Sequence, residues 1–309
     1  MRFLSPFLRS KRQSKSTAPP VWEPTPSPAQ PLIFFDEDNR RHRADAPYLL
    51  PKDLQEVNRL DYQHYIFRRI LQGNCFAPVH NFLQRGGNVL DVGCGTGRWG
   101  YEIAKTYPRT QVVGFDLEAV PPTTSVPLNY KFYQGNLLHG VPFAGQPFHY
   151  VHQRLLVAGI PVDKWPAVIE ELRSITAPGG WIELVEMGTT FHRAGPATLQ
   201  FLEWWKLVSA DRGIDASKVA SLVPLLIEMG LPKETIRAKT ITTPVGTWGG
   251  TLGTMLAQDI LAGWPTMRPL IHEALGIAPE RFDAVLEQLS WEWNAYHTSY
   301  DVYFYCVKV

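Results

Sequence analysis

The stretch Asn88-Val-Leu-Asp-Val-Gly-Cys-Gly-Thr-Gly-Arg-Trp-Gly100 decides the fold class. Val89, Leu90 and Val92 form a short apolar run of strand type, too short for an independent helix. Gly93, Gly95 and Gly97 follow at alternate positions, and Arg98 to Lys105 reads as the start of a helix. A strand, a tight glycine turn and a helix N-terminus make a ready site for a nucleotide-like ligand. The glycines let backbone approach the ligand, and the first free N–H groups of the helix point at its acceptors.

The carboxylate inside the strand narrows the choice of ligand. A dinucleotide fingerprint reads G-x-G-x-x-G and needs no acid there. Here the order is Asp91-x-Gly93-x-Gly95-x-Gly97, with Cys94 inside the loop. A carboxylate at the strand's tip repels a pyrophosphate and attracts an ammonium group. S-adenosylmethionine carries an α-ammonium and a sulfonium and has no phosphate, so it fits this order. Cys94 is read as a small residue that fits a tight turn.

Composition sets wider bounds. The chain has 309 residues, 45% hydrophobic and 19% charged, enough to bury a sizeable core. A formal net charge of +1 argues against a protein held on nucleic acid by bulk charge. The three cysteines, Cys75, Cys94 and Cys306, are odd in number and not spaced as metal-ligand pairs, so no metal is expected and free thiols in a reducing compartment fit best. No apolar run approaches the length of a membrane span. Residues 1–15 carry five basic side chains, and no acid occurs before Glu23. The expected location is cytoplasmic, with organellar targeting left open by that basic N-terminus. Residues 1–45, rich in Pro, Ser and Arg, read as a disordered tail.

The remainder alternates in βα fashion. Asp53 caps a helix in which Leu54, Val57, Leu60, His64 and Phe67 recur at helical spacing. Residues 46–80 are therefore expected to form a helical lid, with Tyr62 and Tyr65 over the ligand crevice. Gln111 to Asp116 is a second strand ending in a carboxylate about 25 residues beyond Asp91, where an acid accepts hydrogen bonds from ribose hydroxyls. That placement suits NAD and S-adenosylmethionine equally. Asn129 to Gln134 and Phe148 to Arg154 are further strands, the second bringing Gln153 and Arg154 to the crevice. Trp165 to Thr176 is a helix stopped by Ala177-Pro-Gly-Gly180, and Trp181 to Met187 is the fifth parallel strand, with Glu186 at its tip. Glu234 to Val245 and Tyr300 to Val309 then form an antiparallel edge interrupted by a helical cap at about 247–294.

The glycine loop resembles the first motif of class I S-adenosylmethionine-dependent methyltransferases. The segments Tyr48-Leu-Leu-Pro-Lys-Asp53 and Arg59-Leu-Asp-Tyr-Gln-His64 are similar to the N-terminal signature of fungal methyltransferases of the LaeA type. The same pattern is recognisable in Tyr150 to Arg154, Pro178 to Leu184 and Pro244 to Trp248, so the resemblance covers about 48–309. It implies an α/β, Rossmann-like class I methyltransferase with a seven-stranded, mostly parallel sheet, an antiparallel last strand, N-terminal helices and the cap insertion. The catalytic domain would run over 81–309. The resemblance also implies that Asn136 holds the adenine amino group, with Leu137 or Leu138 packed on the ring.

The expected cofactor set is therefore Asp91, Gly93, Cys94, Gly95, Gly97, Asp116, Leu117, Asn136, Leu137 and Gln153. Tyr62, Tyr65 and Arg154 are expected at the substrate or lid, and His64, His152 and Glu186 are the candidate general bases. The expected reaction is in-line methyl transfer from S-adenosylmethionine to a small-molecule acceptor related to secondary metabolism, in which positioning does much of the catalysis. A nicotinamide-dependent oxidoreductase, a protein methyltransferase and a regulatory protein that binds S-adenosylmethionine and acts through protein partners are the competing readings.

Overall fold

The computed structural model describes residues 32–43, 46–122, 124–143 and 145–309. In chain order it contains β1 (Ile33–Phe35), β2 (Arg41–Arg43), α1 (Leu54–Leu71), α2 (His80–Arg85), β3 (Gly87–Val92), α3 (Arg98–Thr106), β4 (Thr110–Asp116) and β5 (Tyr130–Gln134). Then follow β6 (Phe148–Arg154), α4 (Trp165–Ser174), β7 (Thr176–His192), α5 (Pro196–Ala210), α6 (Leu222–Glu228), β8 (Ile236–Pro244), α7 (Gly250–Gly263), α8 (Arg268–Leu275), α9 (Pro279–Ala295) and β9 (Ser299–Lys308).

Seven strands form one sheet in the order β5-β4-β3-β6-β7-β9-β8. The pairs from β5 to β7 are parallel, and β9 runs antiparallel to both β7 and β8. Val89, Leu90 and Val92 of β3 are fully buried on both faces, as expected of a parallel strand covered by helices on each side. Strand order reverses at the β3–β6 pair, the place where such sheets open a crevice at their carboxyl ends. One face packs α4 and α6 through Trp165, Val168, Leu172 and Leu226, and the other packs α2 and α3 through Leu83, Trp99 and Ile103.

Two features differ from the sequence reading. Within the expected disordered tail, β1 and β2 pair as a hairpin. Its turn is built by Asp36, whose carboxylate accepts the N–H groups of Asp38 and Arg40, and by Asn39 in the left-handed region at φ 56°. Ion pairs from Arg40 to Asp53 and Arg41 to Glu118 dock it on the domain, contacts that composition cannot reveal. Residues 1–31, 44 and 45 lie outside the described residues. The second difference is that Pro178-Gly-Gly180 does not separate α4 from the next strand. It lies inside β7, where Phe148 faces Thr176 and Tyr150 faces Trp181 across a register shift. Gly179, at φ 78°, accommodates the irregularity.

The chain's helical cap, α7 to α9, packs on α5 and α1. Arg59 reaches from α1 to Asp259 on α7 at 2.8 Å, and the Tyr62 hydroxyl donates to Gln258 at 2.7 Å. Phe201, Trp204, Met267, Ile271 and Phe282 close the centre of the cap.

Candidate functional site

The crevice forms where β3 gives way to the glycine turn. Gly93, Gly95 and Gly97 take φ values of 66°, 53° and 73°, which side-chain-bearing residues rarely adopt. A Cβ at Gly93 would sit 2.4 Å from Leu156 Cδ2, so the β6–α4 loop touches the turn at van der Waals contact. The Gly95 N–H donates to Asp116 Oδ2 at 2.8 Å and ties the turn to the end of β4. Gly97 is the cap of α3 and packs against Tyr101 and Tyr130; it does not line the crevice.

Asp91 is 3% exposed, and its two carboxylate oxygens differ. Oδ1 accepts from His152 Nδ1 at 2.9 Å, and the imidazole stacks on Trp99 with centroids 3.8 Å apart and planes 6° apart. Oδ2 is buried without a hydrogen-bond partner. A buried carboxylate oxygen left unpaired is costly, and an ammonium group at the crevice would satisfy it. Cofactor fit rests on this oxygen.

Along the crevice, Asp116 is 7% exposed, and its Oδ1 accepts the Glu118 N–H at 3.2 Å and lies 4.0 Å from Lys52 Nζ. Asn136 caps its own turn, its Oδ1 accepting the Leu138 N–H at 3.0 Å. Leu117, Leu137 and Leu138 supply apolar wall beside it. Cys94 also lines the crevice; burial pushes its thiol pKa up, and the Tyr130 hydroxyl lies 3.7 Å from its Sγ, so it is an inert packing group. The void, counted out to open solvent, is about 1090 Å³.

Several expected site residues lie elsewhere. His152 and Asp91 alternate with Gln153 and Val92 on paired strands, so Gln153 points to the opposite face, fully buried, with its amide 3.3 Å from Glu186. Glu186 is fully buried too and accepts the N–H groups of Leu156 and Val157 at 3.1 and 3.2 Å. It pins the loop that presses on Gly93 and does not reach the crevice. Burial raises its carboxyl pKa to about 7. His64 is 1% exposed, with Nε2 3.3 Å from Glu102 and Nδ1 3.4 Å from an Arg154 nitrogen. Burial and the Arg154 charge lower its pKa to about 4, and it lies on the buried side of α1, outside the lining of the crevice. Neither His64 nor Glu186 can serve as a base in the crevice.

The lid residues also need correction. Tyr62 turns away to α7, and Tyr65 is 41% exposed beside His64. The side of α1 that faces the crevice carries Leu60 and Gln63, one turn apart. Arg154 does line the crevice, over the Phe67 ring at 5.4 Å. Sequence reading missed Tyr48, Lys52, Arg98 and Trp99 as crevice residues. Lys52 Nζ lies 4.3 Å above the Tyr48 ring, and both stand in the N-terminal signature segment, the one signal that could have flagged them.

A methyltransferase domain model matches residues 62–231, more than half of the chain. The chain belongs to the class I S-adenosylmethionine-dependent methyltransferases. The chain is 34% identical over 159 residues to the secondary metabolism regulator LaeA of Aspergillus flavus, a match covering 50% of this chain and 41% of that protein. It is 27% identical over 262 residues to the N-methyltransferase VerN of Clonostachys rogersoniana, covering 83% of this chain and 90% of the relative. In fold it is similar to a cyclopropane-fatty-acyl-phospholipid synthase-like protein from Lactobacillus casei, with a TM-score of 0.54 and 14% identity, over 85% of this chain and 96% of the other. Among the described residues, no helix is long and apolar enough to cross a membrane.

Proposed function

We propose that this methyltransferase holds S-adenosylmethionine in the Asp91–Gly97 crevice and methylates a small-molecule acceptor of the kind met in secondary metabolism. The observation that carries the reading is Asp91 Oδ2, a buried acceptor with no partner, beside a glycine turn that admits a ligand backbone. Asp91 would hold the amino-acid moiety, Gly93 and Gly95 give close approach, Asp116 takes the ribose and Asn136 the adenine. The cofactor supplies a methyl group on a positive sulfur, an electrophile that needs no protein nucleophile.

The chain's own part is to position and to exclude water. His152, committed to Asp91 and stacked on Trp99, orients the carboxylate. It is a positioning residue. With His64 and Glu186 sealed off, the reading favours an acceptor atom that carries its own lone pair at neutral pH, so that alignment does the catalytic work.

The relative named as a secondary metabolism regulator supports a second reading, in which the cofactor is bound and signalling goes through a protein partner. Incubating the protein with methyl-labelled S-adenosylmethionine and a cell extract separates the two. Label in the small-molecule fraction is expected. Label in protein alone overturns the small-molecule acceptor, and tight cofactor binding with no labelled product favours the regulator.

A further inference from the structure

A second chamber adjoins the crevice, with a void of about 940 Å³ counted out to open solvent. Tyr48, Leu60, Gln63 and Leu155 line both spaces, so the two meet there. The far wall is aromatic, built from Phe201 and Trp205 of α5, Trp264 after α7 and Tyr300 of β9. Phe201 and Trp264 stack with centroids 3.8 Å apart and planes 4° apart, so this wall is ordered before any ligand arrives.

The polar groups of the chamber decide what it can hold. Among its lining residues the two charged side chains are Arg59 and Asp259. Arg59 donates to both oxygens of Glu56, at 2.6 and 2.8 Å, and to Asp259 Oδ1 at 2.8 Å. Asp259 Oδ2 accepts from Gln63 Nε2 at 2.8 Å, and the Tyr300 hydroxyl donates to the Gly188 carbonyl at 2.5 Å. Two carboxylates thus face one guanidinium, which bonds to them through three of its five N–H groups and whose charge they more than balance. An anionic ligand would lose its hydration, find the lining cation Arg59 already paired with Glu56 and Asp259, and meet an excess of its own sign.

We propose that this chamber binds the methyl acceptor, and that the acceptor is an uncharged, mainly aromatic small molecule whose reacting atom is presented between Tyr48 and Gln63. The inference rests on the methyltransferase reading but is tested apart from it. The Gln63 amide donates to Asp259, which leaves its carbonyl oxygen as the neutral acceptor at the junction. The cap therefore sets acceptor class, and the glycine crevice sets cofactor class.

Fluorescence titration of the whole chain with phenylnaphthylamine, a neutral aromatic, and with anilinonaphthalenesulfonate, the same rings bearing an anion, tests the proposal. The neutral probe is expected to bind about tenfold more tightly than the sulfonate, and saturating S-adenosylhomocysteine should not displace it. Leu202→Trp, which adds an indole to the chamber from α5, should weaken the neutral probe about tenfold and leave S-adenosylhomocysteine binding intact. Equal or tighter binding of the sulfonate overturns the acceptor class. Displacement by S-adenosylhomocysteine overturns the location, and this wild-type competition decides even if L202W does not fold. A chain that binds the neutral probe but no S-adenosylhomocysteine removes the cofactor reading instead.

Discussion

His152 donates to Asp91 Oδ1 at 2.9 Å, and that contact determines which oxygen of the carboxylate faces the crevice. The two residues lie on adjacent strands, paired directly in register, so β3 and β6 fix their separation. Asp91→Asn removes the charge that would pair with the cofactor's ammonium. Loss of one partner of a buried, hydrogen-bonded charge pair costs about 2 kcal/mol or more, roughly 30-fold in affinity. Calorimetric titration with S-adenosylhomocysteine checks it, and an unchanged Kd would sink the assignment. His152→Ala, which frees the carboxylate to turn, should cost about tenfold in the same titration.

Gly93→Ala is expected to damage both binding and stability. At φ 66° any side chain is strained, and the added Cβ would sit 2.4 Å from Leu156 Cδ2. The cost should be about 1–3 kcal/mol in urea unfolding, with the loop pushed away from the turn and S-adenosylhomocysteine affinity reduced. Gly145 provides the contrast: its φ is 76°, and among the described residues nothing comes within 4 Å of where a Cβ would sit. Gly145→Ala should lose only about 1 kcal/mol and bind normally. Equal behaviour of the two variants would show that contact with Leu156 is irrelevant.

Stability should respond to pH through two opposed buried groups. Burial raises Glu186 from 4.5 to about 7, so its contribution is present below pH 4.5 and is lost as pH rises through 7. Burial, then the Arg154 charge, lowers His64 from 6.5 to about 4 against the pull of Glu102. The unfolded chain therefore binds the His64 proton more tightly, and stability rises with pH across that window. Each effect is worth about 3 kcal/mol at most, and between about pH 4.5 and 6.5 they offset one another. Glu186→Gln keeps one acceptor oxygen, removes the falling limb and leaves the rise due to His64. Urea midpoints at several pH values across this range should climb in the variant where wild type is nearly flat. Parallel curves would refute it.

The Arg59–Asp259 pair joins α1 to the cap, with both side chains almost fully buried. Asp259→Ala leaves Arg59 with Glu56 alone and Gln63 without its acceptor. A loss of about 3 kcal/mol is expected, read as a lower denaturation midpoint. A surface-like loss well under about 1 kcal/mol would show that the pair does not hold the helices together.

Much of this protein is written locally in its sequence. The apolar run Val89–Val92, the Asp91-x-Gly-x-Gly-x-Gly97 order and Asp116 at the end of the next strand carry the sheet, the turn and the cofactor class. They do so because strand formation, positive φ and charge are properties of short segments. The antiparallel closing edge and the cap between Pro244 and Ser299 were legible for the same reason. Tertiary structure alone decided which polar residues reach the crevice. Period-two alternation groups His152 with Arg154 and separates both from Gln153, but a parallel strand buried on both faces gives no polar signal for which group faces the ligand. Glu186 and His64 looked like bases in sequence, but Glu186 is buried against Gln153 of β6 and the loop after it, and His64 is buried between Glu102 and Arg154. The turn of α1 that presents Leu60 and Gln63 rather than Tyr62 and Tyr65 is set by Arg59 meeting Asp259, a contact across 200 residues. Local chemistry named the cofactor; long-range packing chose the side chains that face it and shaped the chamber beside it.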